Sequence, residues 1–169
     1  MLIRQENSND FDEVYSVVKA AFEVAEHSDG TEQDLVVALR KSDSFVPELS
    51  LVAEIDGKIA GHIMFTEGKV GNDKVLVLAP LAIAPEYQKK GVGSALIIEG
   101  HKIAKQLGYK YSNVLGSESY YSRFGYIKAE QLGIQTPYGI PPENFMAIKL
   151  QENAQPINGA MKYPKEFGI

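Results

Sequence analysis

The stretch LAPLAIAPEYQKKGVGSALI, residues 78–97, limits the possible folds more than any other part of the chain. It runs from an apolar strand through a short loop into glycines that open a helix, predicted over residues 92–107. Another strand is predicted at residues 109–116. Strand, helix and strand in this order, in one sheet, must pair in parallel through a crossover. The sequence therefore predicts an α/β fold.

The remaining elements predict antiparallel strands beside this parallel unit. Asp56-Gly57 is a strong hairpin signal, and Gly71-Asn72-Asp73 marks a second turn, so three consecutive strands are expected to form a meander. Asn9 or Asp10 is expected to cap the first helix. The other predicted elements are a strand at 1–5, helices at 8–23 and 28–42, a short helix and turn at 117–126, and a strand at 143–150.

Composition narrows the classes of function. The length of 169 residues suits one domain, expected at 1–150, with a polar extension at 151–169 that packs on it through Tyr163 and Phe167. A net charge of −5 argues against a nucleic-acid partner. The absence of cysteine excludes disulfides, thiolate metal sites and a cysteine nucleophile. No apolar stretch is as long as that of a signal peptide or a membrane span, so a cytoplasmic location without membrane contact is expected.

Pro80 lies inside an apolar strand, between VLVL and LAIA. Proline cannot donate a hydrogen bond to a neighbouring strand, so it predicts a bulge or a splay at this point. A splay leaves backbone N–H and C=O groups without partners, and an extended ligand could satisfy them by strand addition. The alternative is a bulge whose free groups face water.

The loop EYQKKGVG predicts a site for an anion. Gly91 and Gly93 allow backbone amides to approach a ligand closely, and these amides open a helix whose free N–H groups and dipole favour negative charge. Lys89 and Lys90 add positive charge in an acidic chain. The alternative is a turn eased by glycine with solvated lysines. The motif G-x-x-x-x-G-K-[ST] is absent, and G-x-G-x-x-G is only half met because Leu96 holds the third glycine position.

These residues resemble motif A of the GNAT superfamily of acyl-CoA-dependent N-acyltransferases, [QR]-x-x-G-x-[GA] after a strand. Gln88, Gly91 and Gly93 match it position by position. YYSRFGY is similar to the family's motif B, F-Y-x-x-x-G-[FY], with Tyr121 four residues before Gly125. The order of elements agrees from the first strand to about residue 150, and the form of motif B resembles the YhbS-like branch.

The resemblance implies a mixed, mostly antiparallel sheet with a splayed fourth and fifth strand, flanking helices, and acetyl-CoA as co-substrate without a metal. It implies direct acetyl transfer to a primary amine in a ternary complex. Tyr121 is implied as the acid for the leaving thiolate, with Tyr120 as its rival. Strand contacts to pantetheine are implied for Leu81, Ala82 and Ile83. The implied pyrophosphate cradle comprises Gln88, Lys89, Lys90, Gly91, Val92, Gly93 and Ser94.

Several questions stay open at this level. The acceptor could be a small molecule or a protein amine, and a homodimer is one option. The chain could instead be a non-catalytic acyl-CoA sensor or a nucleotide-binding protein. For a general base, Glu26, His27 and Glu32 fall in the region that forms the acceptor wall in the family, and an ordered water is the alternative. His62 could face the cleft or cover the sheet, while His101 is expected on a solvated helix face.

Overall fold

The computed structural model describes residues 1–25 and 28–169. None of the helices in these residues is long and apolar enough to cross a membrane. The helices are α1 (Phe11–Glu23), α2 (Glu32–Arg40), α3 (Val92–Gln106) and α4 (Glu118–Tyr121). The strands are β1 (Leu2–Gln5), β2 (Phe45–Ile55), β3 (Lys58–Val70), β4 (Asp73–Ile83), β5 (Tyr111–Leu115), β6 (Ile127–Lys128), β7 (Ile134–Gln135), β8 (Phe145–Lys149) and β9 (Gly159–Lys162).

The main sheet has the strand order β1-β2-β3-β4-β5-β8-β6, with β9 added beside β3. Neighbours along this path are antiparallel, except for the parallel pair β4–β5. Asp56 and Gly57 both have positive φ, 51° and 77°, as a type I′ hairpin turn requires. The predicted meander and the predicted mixed, mostly antiparallel fold class with flanking helices are confirmed.

The interruption expected at Pro80 is a bulge in β4. Phe65 of β3 lies opposite Leu78, but Ile63, two residues earlier on β3, lies opposite Leu81, three residues later on β4. One extra residue on β4 is therefore accommodated at Ala79-Pro80, where the ladder cannot use a proline N–H.

Beyond this point β4 and β5 separate. Their parallel pairing is confined to Leu76 with Ser112 and Val77 with Asn113, although β4 continues to Ile83. The expected splay is present, and it opens the sheet where the loop before α3 begins.

The two faces of the sheet have separate cores. α3 packs on one face against Phe65, Leu76 and neighbouring side chains. α1 and α2 cover the other face, where Val18, Leu39 and Met64 are fully buried. The splay between β4 and β5 is therefore flanked by α3 on one face of the sheet and by α1 and α2 on the other.

Asp10 holds the N-cap position of α1, as expected, but its side chain makes no capping bond to α1. It accepts instead from Asn7 N–H at 2.8 Å, in the capping box of the 3-10 turn that precedes α1. His101 was expected on a solvated face, which is wrong: it is buried with Ile97 and Ala104 on the sheet side of α3. Burial is tolerated because its Nε2 lies 3.0 Å from the Tyr126 hydroxyl.

The segment after residue 150 contacts the sheet. In β9, Met161 pairs with Val70 at the end of β3. The Tyr163 hydroxyl donates to Asn113 Oδ1 at 2.9 Å, and the Phe167 ring lies 5.5 Å from the Tyr163 ring. These contacts support the proposal that the extension and residues 1–150 form one folding unit.

Candidate cofactor and acceptor site

The loop before α3 has the backbone of an anion site. Gly91 is the N-terminal cap of α3 in the left-handed conformation, with φ of 82°, and Lys89 also has positive φ, 62°. Val92 and Gly93 form the first turn, so their N–H groups are among those without partners inside the helix. This end of α3 therefore presents donors and a partial positive charge to the splay.

A cleft of about 650 Å³ joins this loop to the splayed end of β4. All but two of the residues predicted to bind the cofactor line it. The lining residues are Ala21, Phe22, Ala25, Leu81, Ile83, Tyr87, Gln88, Lys89, Gly91, Val92, Gly93, Ser94, Tyr120 and Arg123.

The two exceptions are Ala82 and Lys90. The Ala82 side chain is buried on the opposite face, in the core beneath α1 and α2. Lys90 is exposed, and its ammonium lies 5.8 Å from the centre of the Tyr87 ring instead of lining the cleft. Ala82 could therefore contribute only backbone, and Lys90 only long-range charge.

The backbone groups of Leu81 and Ile83 on β4 point into the splay, where Ile83 O accepts from Gln88 Nε2 at 3.3 Å. Ala84 N–H donates to Ala60 O on β3 at 2.9 Å, and Ala82 faces His62 on the same strand. Because successive residues of a strand turn their polar groups to alternate sides, Leu81 and Ile83 turn theirs away from β3. The Ile83 N–H is thus aimed at the splay, where it could stabilise an oxyanion.

Tyr120 and Tyr121 occupy different places. Tyr120 lines the cleft, and its hydroxyl lies where a Cβ on Gly93 would be placed. The Tyr121 ring packs edge-on against Tyr120 and Tyr126 and covers Gly116. Burial raises the pKa of both hydroxyls, so each is held in its protonated, proton-donating form.

Arg123 is a site residue that the sequence reasoning missed. Its Nη2 donates to Ser94 Oγ at 3.3 Å, and its guanidinium lies 5.2 Å from the centre of the Tyr120 ring. It thereby brings a cation to the glycine loop from the segment after α4. The available signal was its place two residues after Tyr121, as the one basic residue in 111–127.

A second cleft, of about 960 Å³, meets the first at the end of α1. Phe22 and Ala25 line both clefts. The second cleft lies at the end of β5, on the other side of the splay from the glycine loop. Its remaining lining residues are Leu115, Gly116, Ser117, Glu118, Ser119, Ile140, Pro141 and Asn144.

The candidate bases are not brought together at either cleft. Glu26 and His27 lie outside the described residues. Glu32 accepts hydrogen bonds from Ser28 Oγ at 2.8 Å and Asp29 N at 3.3 Å, and it lines neither cleft. Across residues 1–25 and 28–169, no three histidine or acidic side chains are grouped so as to hold a metal ion.

His62 covers the sheet beneath α2 and is fully buried. Ser50 donates to the Glu6 carboxylate, which Arg40 also binds, so the Ser50 oxygen accepts from His62 Nε2 at 3.2 Å. Burial lowers the pKa of His62 to about 4, against the opposing charge of Glu6. Of the two alternatives, His62 therefore covers the sheet and does not face the cleft, and its role is structural.

Known proteins match the chain in sequence and fold. Residues 11–126 match the model of the acetyltransferase (GNAT) family. The uncharacterised N-acetyltransferase YjhQ of Escherichia coli K12 is 40% identical over 132 residues, covering 75% of this chain and 73% of its own. The uncharacterised N-acetyltransferase YhbS of the same organism is 32% identical over 171 residues, covering 99% of this chain and 98% of its own.

Solved structures agree. The crystal structure of Escherichia coli YhbS in complex with CoA has a TM-score of 0.89 at 27% identity, covering 99% of this chain and 92% of that one. A Brucella melitensis GNAT family acetyltransferase in complex with acetyl-CoA has a TM-score of 0.81 at 30% identity, covering 98% and 97%. The splay, the glycine loop and these matches agree, and the chain belongs to the GNAT family of acetyltransferases, as its motifs predicted.

Proposed function

We propose that this acyltransferase binds acetyl-CoA in the first cleft and transfers the acetyl group to a primary amine in the second. The observation that carries the proposal is that Phe22 and Ala25 line both clefts, which lie on opposite sides of the splay. The CoA and acetyl-CoA complexes of the two similar structures support the assignment of the first cleft.

In this proposal the pyrophosphate lies at the start of α3, near Lys89 and Arg123, and pantetheine runs along the free edge of β4. Leu81 turns its backbone groups and Ile83 its N–H toward that edge, so the arm can pair as an added strand would, while Ile83 O accepts from Gln88 Nε2 at 3.3 Å. The Ala82 side chain is excluded from this contact because it faces the other core.

The reaction begins when an ammonium acceptor loses one proton to water or to a base. The neutral nitrogen attacks the thioester carbon, and the Ile83 N–H stabilises the resulting oxyanion. The C–S bond then breaks, the new C–N bond remains, and the CoA thiolate takes a proton from a tyrosine hydroxyl to leave as the thiol. The nitrogen releases its second proton, which restores that tyrosine directly or through water. Since the chain has no cysteine, the acetyl group passes directly between the two substrates.

A tyrosine hydroxyl supplies the proton for the thiolate. Tyr121 is our assignment because it holds the tyrosine position of motif B. Tyr120 is the alternative, favoured by its place in the lining of the first cleft. Both hydroxyls are protonated at neutral pH, because the ordinary pKa of tyrosine is about 10 and burial raises the pKa of each further.

Calorimetric titration with acetyl-CoA tests the cofactor site. Gly93→Asp places a carboxylate against Tyr120 and the pyrophosphate, and should abolish binding. Gly71→Asp, in the distant β3–β4 turn where a Cβ meets open space, is the matched control and should bind normally. Equal affinity in both folded variants would refute the phosphate site. Release of free thiol from acetyl-CoA, dependent on an added amine, tests transfer; binding without such release would indicate a sensor.

A further inference from the structure

We propose that the acceptor is a primary monoamine with a neutral, apolar body, and that Glu118 provides the counter-charge for its ammonium. This inference rests on the proposed function and names the substrate class of the second cleft. It rests on the apolar side chains and the carboxylate that the described lining presents to a ligand, and on the further charged groups that this lining lacks.

Apolar side chains of the second cleft determine which acceptor body fits there. Phe22, Leu115, Ile140 and Pro141 line the second cleft. Leu115 is 56% exposed because β5 has left β4 before reaching it, so a large aliphatic side chain faces open space at the splay. Burying such surface against a ligand is favourable, at about 25 cal/mol per Å². A neutral hydrocarbon body therefore fits this wall.

The polar groups of the wall are already engaged within the protein. Asn144 Nδ2 donates to Gly116 O at 3.0 Å, while Gly116 N–H donates to Asn144 O at 2.9 Å, which clamps the two sides of the cleft. Ser117 Oγ accepts from Tyr120 N–H and lies 3.1 Å from Ser119 Oγ. Few of these groups are left to recognise a polar substituent on the acceptor body.

Glu118 is the one ionisable side chain among the described residues that line this cleft. It is exposed, and no lysine or arginine of the described chain forms a salt bridge with it. One carboxylate matches one ammonium. A second ammonium would lose its hydration against the apolar wall without a counter-charge, and a carboxylate would be repelled by Glu118.

Three acceptors of the same chain length separate these cases: hexylamine, hexamethylenediamine and ε-aminocaproate. Thiol release should show the highest kcat/KM with hexylamine, by about tenfold over the other two, which corresponds to about 1.4 kcal/mol. A higher value with the diamine or the amino acid would overturn the inference while leaving acetyl transfer intact. No release with any amine, although acetyl-CoA binds, would overturn the proposed function itself.

The variant Glu118→Gln tests the counter-charge. KM for hexylamine should rise about fivefold, as expected for a partly exposed ion pair, whereas the Kd for acetyl-CoA should not change. KM for ε-aminocaproate should rise less than that for hexylamine, because the loss of the counter-charge is offset by the loss of a repulsion; a purely structural effect would raise both equally. Glu143→Gln removes an exposed carboxylate beside Asn144 that does not line the cleft, and should leave both values unchanged. Unchanged KM values in Glu118→Gln would refute the assignment.

Discussion

Arg123 donates to Ser94 Oγ, and this contact ties the segment after α4 to the first turn of α3. The guanidinium is thereby held at the glycine loop, where Lys89 is the other cation in the lining. Motif B thus contributes a positive charge to the first cleft as well as the Tyr120 side chain.

Replacing Arg123 by glutamine should weaken acetyl-CoA binding by about three- to tenfold at low salt, because an exposed charge-assisted contact to phosphate is lost. The difference from the wild type should shrink as salt is added. Lys90→Gln is the control, since Lys90 is equally cationic but does not line the cleft. Calorimetry at two salt concentrations measures both, and a larger effect at Lys90 would contradict the geometry.

The adjacent tyrosines can be separated by removing one hydroxyl at a time. Tyr121→Phe should lower kcat by at least tenfold with acetyl-CoA affinity intact, because a positioned acid contributes about 10²–10⁴ in rate. Tyr163→Phe, whose hydroxyl binds Asn113 away from both clefts, should retain full activity. If Tyr120→Phe loses turnover and Tyr121→Phe does not, the acid is Tyr120, as the cleft lining favours.

The stability of the protein should fall as the pH drops from about 6.5 toward 4. Burial lowers the pKa of both His62 and His101 to about 4, whereas a histidine in the unfolded chain titrates near 6.5. The unfolded state therefore binds more protons in this window, and each histidine contributes up to about 1.4 kcal/mol per pH unit. The Arg40 partner lowers the pKa of Glu6 against the effect of its burial, so Glu6 adds a loss at still lower pH.

Urea unfolding between pH 7 and 4.5 measures this dependence. His101→Gln keeps a polar partner for Tyr126 but cannot take up the proton, so the slope of the unfolding free energy against pH should decrease. An unchanged slope in this variant would show that His101 does not titrate in the window.

The local parts of the fold could be predicted from sequence because their causes are local. Asp56-Gly57 can adopt the positive φ of the hairpin, Pro80 cannot donate to the ladder, and Gly91 can cap α3. Each of these constraints depends on only one or two neighbouring residues. The meander of β2, β3 and β4 and the interruption of β4 followed from them.

The errors involve partners distant in sequence. His101 was expected on a solvated face, whereas the helix turns Gly100 and His101 inward. Gly100 permits this rotation because the Phe65 ring occupies the space of a Cβ, and Tyr126 supplies the hydrogen bond. Likewise, Arg123 reaches Ser94 across 29 residues of sequence. No local pattern encodes either contact.

The single inserted residue in β4 changes which side chains of the strand face α3 and the first cleft. Before the bulge the even-numbered Leu76 and Leu78 face α3, and beyond it the odd-numbered Leu81 and Ile83 do. A substitution at Ala79 would alter one side chain. Its deletion would leave Leu78 and Leu81 two residues apart, as in a regular strand, so Leu81 and Ile83 would keep their face, but the bulge would be lost and Pro80 would stand in an unbroken ladder without an N–H to donate. We therefore expect a change of residue type at Ala79 to be tolerated better than its deletion, because only the deletion removes the bulge that interrupts β4 beside the cleft.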